Sequence, residues 1–289
     1  MKIAIAGTKG GVGKTLIAVN LFYAIKDITE AVCTIVDAHA QAPNVYHYIE
    51  TTSEVEVVTV NVRIPEIDQD ACTFCGRCVR YCAFDSILML KDSKHIKVLD
   101  DYCTSCGACV YACNDNAISE RTEALGKVTI MSLGKDRFVE GKMFAIRPLV
   151  SPIIQEINEH IESSGITIID TPPGSSYPFA ESVRDADYVI LVSEATKAGM
   201  QNLQSNVELL AGMKKKFGVV VNKFNLASES MVEYLKKNNI PILMKLEFKR
   251  DYAAIHTKGE VLVLKDDDLK QRFIKMFSVI EKEGKEQSL

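Results

Sequence analysis

Two groups of residues have types and spacings suited to binding chemistry. The first is Gly7-Thr8-Lys9-Gly10-Gly11-Val12-Gly13-Lys14-Thr15, between the apolar run KIAIA (2–6) and a helical stretch from Leu16. Closely spaced glycines let backbone N–H groups fold around phosphate oxygens, and a helix N-terminus adds positive potential. In this pattern Lys14 reaches the β- and γ-phosphates and the Thr15 hydroxyl meets Mg²⁺. A plain glycine turn has no use for Gly-Lys-Thr at that place. The second group is cysteine. Of nine cysteines, eight fall between Cys72 and Cys113, and Cys72, Cys75, Cys78 and Cys82 repeat the spacing of Cys103, Cys106, Cys109 and Cys113. Clustered thiols point to metal. A disulfide framework is the competing reading, but it belongs to small exported domains. The ninth, Cys33, lies in an apolar run and reads as a small core residue.

The elements that must carry these groups follow from periodicity. KIAIA, CTIVD (33–37), ITIID (166–170), DYVILVS (187–193) and GVVVN (218–222) are apolar without alternation, the pattern of strands buried on both faces. Helical spacing follows in Leu16–Lys26, Ser151–Ser163, Met200–Lys215 and Glu229–Asn238. An α/β fold is expected, a doubly wound, mostly parallel sheet. From about Val62 to Ala124 the rhythm breaks, and cysteine motifs and short turns replace long strands. Residues 1–61 and 125–289 therefore read as two parts of one nucleotide-binding domain, and 62–124 as a small α+β insert. Gly126 to Arg147 reads as short strands with Gly126, Gly134 and Gly141 at turns. The polar stretch from Glu281 to Leu289 reads as a fraying end.

Lys9 gives the phosphate loop the form Lys-Gly-Gly-Val-Gly-Lys-Thr, which resembles the deviant Walker A loop of the MinD, ParA, Mrp and nitrogenase iron protein family. The resemblance implies bound ATP or ADP with Mg²⁺, and a dimer in which Lys9 reaches the partner's nucleotide; by itself Lys9 could be a solvated loop lysine. Further positions match that family. Val36-Asp37 with Ala42-Pro43-Asn44 looks like switch I, and Ile169-Asp170-Thr171-Pro172-Pro173-Gly174 like Walker B and switch II. By that likeness Asp170 holds the Mg²⁺ shell, the Gly174 amide senses the γ-phosphate, and Asn222-Lys223 contacts adenine. The nucleotide-binding set is thus Lys9, Gly10, Gly11, Val12, Gly13, Lys14, Thr15, Leu16, Gly174, Asn222 and Lys223, with Lys9, Lys14, Asp37 and Asp170 serving hydrolysis. Three positions depart from the family. Thr8 replaces a common loop glycine, and Leu16 a hydroxyl residue that would face the α-phosphate. His39 stands where relatives carry an Asp that positions the attacking water, so any ATPase activity is expected to be slow.

The cysteine runs have the C-x2-C-x2-C-x3-C spacing of bacterial two-cluster ferredoxins. Three cysteines on a tight loop can cap one face of a cubane while the fourth, in the next helical turn, points to the other cluster. On that reading Cys72, Cys75, Cys78 and Cys113 hold one 4Fe-4S cluster, and Cys103, Cys106, Cys109 and Cys82 the second. Zinc sites use pairs of cysteines and are the lesser reading. Gly76 and Gly107, and Ile87 and Ile118, recur at matching positions, an internal pseudo-twofold. Ala83 and Asn114 replace the proline usual after the fourth cysteine. Together the motifs resemble MinD-superfamily P-loop ATPases with an inserted ferredoxin domain.

Three functions follow from the likeness. One is an ATP-driven switch whose dimer, with itself or with a more complete paralogue, gates electron transfer to a redox or metallocluster partner protein. The others are a carrier or maturation factor for iron-sulfur centres and a positioning module. Eight thiol ligands weigh against pure positioning. With 34 basic and 38 acidic residues the net charge is −4, which disfavours a general nucleic-acid binder. The start MKIAIAG is a strand and not a signal sequence, and no apolar run nears the ~18 residues of a membrane span, so a cytoplasmic location is expected. Leu269, Phe273, Phe277 and Ile280 form an apolar stripe beside Lys270, Arg272 and Lys275, read as a last helix packing on the sheet in preference to a membrane-surface face. His47, His95, His160 and His256 have no partner spacing and read as surface or satisfied residues.

Overall fold

The computed structural model describes the whole chain except residues 8, 51–52, 176, 195, 225–228 and 286–289. Thr8 and the last four residues of the polar C-terminal stretch therefore lie outside the described residues. The strands are β1 (Lys2–Gly7), β2 (Cys33–Asp37), β3 (Ser53–Ile67), β4 (Ile87–Leu90), β5 (His95–Val98), β6 (Ile118–Leu133), β7 (Asp136–Met143), β8 (Ile166–Asp170), β9 (Tyr188–Glu194), β10 (Phe217–Asn222) and β11 (Ile242–Leu246). Among them one sheet runs β11-β10-β9-β1-β8-β2-β7-β6-β3. It is parallel from β11 to β7 and antiparallel across β7-β6-β3. The apolar runs occupy its centre because helices cover both faces there; every residue of β2 and β9 is buried.

The helices are α1 (Lys14–Ile25), α2 (Arg77–Tyr81), α3 (Ala108–Ala112), α4 (Ser151–Glu159), α5 (Tyr177–Val183), α6 (Lys197–Gly212), α7 (Glu229–Lys237), α8 (Arg250–Thr257) and α9 (Asp267–Lys285). α9 lies beside α1, and Leu269, Phe273, Phe277 and Ile280 enter the core at 7% exposure or less. Burial of each contributes roughly 1.5–3 kcal/mol, so the stripe is spent on packing and offers no face to a membrane. Glu281 to Lys285 continue this helix and do not fray.

The expectation of short turns between Val62 and Ala124 is corrected. β3 and β6 are strands of 15 and 16 residues, paired from Ser53↔Ser132 to Ile67↔Ile118 with shifts near Val55 and Val60. This ribbon leaves the sheet edge and carries the cysteine loops at its far end. Its alternation (EVEVVTVNVRI) is that of a strand with one face exposed, at an edge blunted by glutamates. Gly126 and Gly141 are likewise not at turns. Both sit inside strands under α4, where a Cβ would come within 2.6 Å of Ile153 Cδ1 at Gly126 and of Ile157 Cδ1 at Gly141. They let the helix lie close to the sheet. Gly134 alone of the three is at a turn, between β6 and β7.

Beyond the ribbon, α2 and α3 are joined by the β4-β5 hairpin around Cys78, Ile87, Ile96, Cys109 and Ile118. The backbone repeats with the sequence. Phe74 and Ser105, Gly76 and Gly107, and Asp85 and Asn116 all have positive φ, between 51° and 76°.

Candidate functional site

The phosphate loop spans from the end of β1 to the start of α1. Gly13 has φ 101°, and a Cβ there would lie 2.4 Å from Asn222 Nδ2, so only glycine fits. Asn222 Nδ2 donates to Val12 O at 2.8 Å, and its Oδ1 accepts from Lys223 N. The residue therefore braces the loop from β10. Val12 is buried in the core and offers only that carbonyl, while Leu16 packs partly on the core and partly lines the cleft. The cleft holds about 470 Å³, and Gly10, Gly11, Gly13, Lys14, Thr15, His39, Asn222 and Lys223 line it. That size suits a small organic ligand. Lys14 is 7% exposed; its Nζ is 3.4 Å from Lys9 O, and burial lowers its pKa while the Asp170 charge raises it.

Three carboxylates lie level on neighbouring parallel strands, Asp37 and Asp170 at strand ends and Glu140 within β7. Asp37 on β2 is level with Asp170 on β8 and Glu140 on β7. Asp37 Oδ1 accepts from His39 N at 3.0 Å, and Oδ2 from the Asn44 and Val45 amides at 2.7 and 2.9 Å. It holds the 38–45 segment in shape. Burial raises its pKa against those three hydrogen bonds. Asp170 Oδ2 accepts from Thr15 Oγ1 at 2.6 Å, while its buried Oδ1 has no hydrogen-bond partner. Burial, then the Asp37 charge, push Asp170 up to about 7, against Thr15 and Lys14. Glu140 is raised by burial and by Asp37. The nearby lysines do not offset burial and mutual repulsion in this cluster, and an orphan carboxylate oxygen beside a hydroxyl is the donor set a hard divalent cation takes. The His39 ring lines the cleft with its pKa lowered, first by burial and then by Lys14, which keeps it neutral.

Lys9 is partly exposed but is not a free loop lysine. Its Nζ lies 3.2 Å from Glu194 Oε2, and Glu194 Oε1 pairs with Lys223. Burial opposes the charge on Glu194, but hydrogen bonds from Lys223 and Lys9 outweigh it and lower its pKa. The Gly174 amide donates to Gly7 O at 3.2 Å, so sensing a phosphate requires that bond to open. Sequence reasoning missed Glu194 because it ends a different strand, far from Lys9 along the chain. It also missed Tyr48 and His256, whose stacked rings, 4.6 Å apart, form a wall of the cleft.

The eight clustered thiols separate into two cavities. Cys72, Cys75, Cys78 and Cys113 line one, and Cys82, Cys103, Cys106 and Cys109 the other. Each takes three cysteines from one run and one from the other. Backbone amides approach two sulfurs in each: Phe74 N and Ala117 N lie 3.4 and 3.3 Å from Cys72 and Cys113 Sγ, and Ser105 N and Ser86 N lie 3.4 and 3.3 Å from Cys103 and Cys82 Sγ. Among the described residues no three His, Cys, Asp or Glu side chains converge on the position of a single metal ion. Cys33 is buried in the main core, and burial pushes its thiol up to about 11, so it is inert.

The CobQ/CobB/MinD/ParA nucleotide binding domain matches residues 3–263. The chain belongs to that family. Two similar proteins of Methanocaldococcus jannaschii are the uncharacterized MJ0578 and MJ0579. MJ0578 is 31% identical over 225 residues, covering 77% of this chain and 78% of that protein. MJ0579 is 23% identical over 276 residues, covering 93% and 94%. The fold of this CobQ/CobB/MinD/ParA member is that of the Pyrococcus furiosus cell division ATPase MinD, with TM-score 0.60 at 15% identity over 97% of this chain and 98% of MinD. Family membership bears out the nucleotide-binding fold expected from the glycine loop. Among the described residues no helix is long and apolar enough to cross a membrane.

Proposed function

We propose that this chain is a nucleotide-dependent switch that couples ATP to electron transfer through two 4Fe-4S clusters. Cys72, Cys75, Cys78 and Cys113 hold one cluster, and Cys103, Cys106, Cys109 and Cys82 the other. The observation that carries this reading is the division of the thiols into two cavities, each mixing the runs three to one. A single ion draws its ligands to about 2.3 Å of one point. A polynuclear centre has volume of its own, so its ligands surround a cavity instead. When bound, the clusters supply one-electron redox chemistry. Lys14 and the loop amides bind the phosphates, and Thr15 with Asp170 Oδ1 takes Mg²⁺. Lys9 leaves Glu194 to reach a partner's nucleotide, in a homodimer or with a paralogue.

A contiguous set of contacts supports the coupling. Gln41 Nε2, in the segment held by Asp37, donates to Arg147 O at 2.9 Å, and Met143 N donates to Ala40 O at 2.9 Å. Arg147 pairs with Asp101 at 3.3 Å and with Glu123 at 2.5 Å. Arg121 joins Glu123 to Asp100, and residues 100–102 lead directly into Cys103. A shift of residues 38–44 on nucleotide binding thus reaches the second cysteine cavity. The partner is a redox or metallocluster protein.

The test is anaerobic preparation with iron and sulfide analysis. About eight of each per chain are expected, as two cubanes. Cys82→Ser should damage the centre of Cys103, Cys106 and Cys109. Loss of the Cys72, Cys75 and Cys78 centre instead, or wild-type protein that takes up no iron, would overturn the assignment.

A further inference from the structure

The two cavities match in their cysteines and in their backbone amide donors, but not in their hydroxyls. Thr73 and Thr104 occupy the same place in the two loops, each following the first cysteine of its run. Thr73 Oγ1 donates to Asp115 Oδ2 at 2.8 Å and also lies against the Cys75 thiol, so in the first cavity the hydroxyl already has partners, one of them a carboxylate that itself lines that cavity. Thr104 lines the second cavity, and its Oγ1 is buried with no hydrogen-bond partner. A buried hydroxyl left unpaired is costly, and such a group is explained by a partner that arrives with a ligand. No charged side chain lines the second cavity, whereas Arg77 and Asp115 line the first. The sulfurs of a bound centre are therefore the acceptors within reach of Thr104.

We infer that the Thr104 hydroxyl donates a hydrogen bond to a sulfur of the centre held by Cys82, Cys103, Cys106 and Cys109, and so sets that centre's reduction potential apart from its neighbour's. This rests on the iron-sulfur reading above. The physical cause is charge. Reduction adds an electron to an already anionic centre, and a donor aimed at a sulfur stabilises the added charge more than the starting state. Matching amides reach Cys72 and Cys103, and Cys82 and Cys113, so beside the charges of Arg77 and Asp115 in the first cavity the Thr104 hydroxyl is a side-chain difference that acts on the second. It is a positioning and tuning residue, not a ligand. Asp101, two residues ahead of Cys103, pairs with Arg147, so the tuned centre is the one linked by contacts to the segment held by Asp37.

The experiment is an EPR-monitored redox titration of the loaded full-length protein, comparing wild type with Thr104→Val, Thr104→Ser and Thr73→Val. Iron and sulfide content is measured in each. Thr104→Val should keep both centres and make one of them about tenfold harder to reduce at a given potential, which for one electron is ~59 mV. Thr104→Ser keeps the hydroxyl and should retain the wild-type potential, and Thr73→Val should leave the same centre unmoved. Equal potentials in wild type and Thr104→Val, or an equal shift in Thr73→Val, with full iron content, would overturn the inference while leaving the iron-sulfur reading intact. Wild-type protein without iron overturns both.

Discussion

Replacing Asp170 with asparagine should stabilise the nucleotide-free protein while sharply weakening its response to Mg²⁺. The side chain is 2% exposed, lies level with Asp37 on the next strand and has one carboxylate oxygen with no partner. These surroundings raise its pKa from 3.8 to about 7. In the folded protein the charged form is thus disfavoured by about 4 kcal/mol relative to the unfolded chain. The sign follows from linkage. Between pH 4 and 7 the folded state binds the proton more tightly, so this group's contribution is fully present below about pH 4 and is lost as pH rises through 7. Asparagine carries no charge at any pH and keeps an oxygen for the Thr15 hydroxyl. The variant should match wild type near pH 4 and gain up to about 4 kcal/mol by pH 8, a figure already net of what Thr15 and Lys14 return to the native carboxylate. At roughly 2–4 °C per kcal/mol, thermal unfolding in chelator across pH 4–8 resolves this. Added Mg²⁺ and nucleotide should reverse the order at pH 8, because the neutral asparagine oxygen binds the ion far more weakly than the carboxylate does. A stability difference independent of pH, or a variant destabilised at pH 8 without Mg²⁺, would refute the account of a carboxylate awaiting a cation.

Lys9→Ala should lose nucleotide-dependent dimerisation while still binding ATP, as read by light scattering of both proteins with nucleotide held; equal dimers would show that Lys9 serves only its contact with Glu194. His39→Asp should raise phosphate release about 10²-fold, some 2.7 kcal/mol of barrier, because a carboxylate restores the group that orients the attacking water. Brisk wild-type turnover, unchanged or reduced in the variant, would show that the neutral imidazole is no brake.

The sequence by itself determined the glycine loop, the buried parallel strands and the grouping of the cysteines into two repeated runs, because each is a local property. Gly13 needs a left-handed φ, apolar runs without alternation must be covered on both faces, and cysteine spacing is set along the chain. It also placed the apolar stripe of the last helix correctly. The tertiary structure decided whatever depends on partners distant in sequence. The β3-β6 ribbon was hidden because its strands flank the cysteines, 51 positions apart from Ile67 to Ile118, and pairing is not a local signal. Gly126 and Gly141 looked like turn residues until α4 came to rest on them. Glu194 acquires its grip on Lys9 and Lys223 only when β1, β9 and β10 lie side by side. Asp37 and Asp170 are two ordinary acids in the chain, and each is pushed toward its protonated form once parallel register sets them level and buries both. Thr73 and Thr104 are identical in type and repeat position; the fold alone gives one a carboxylate and leaves the other's proton unspent.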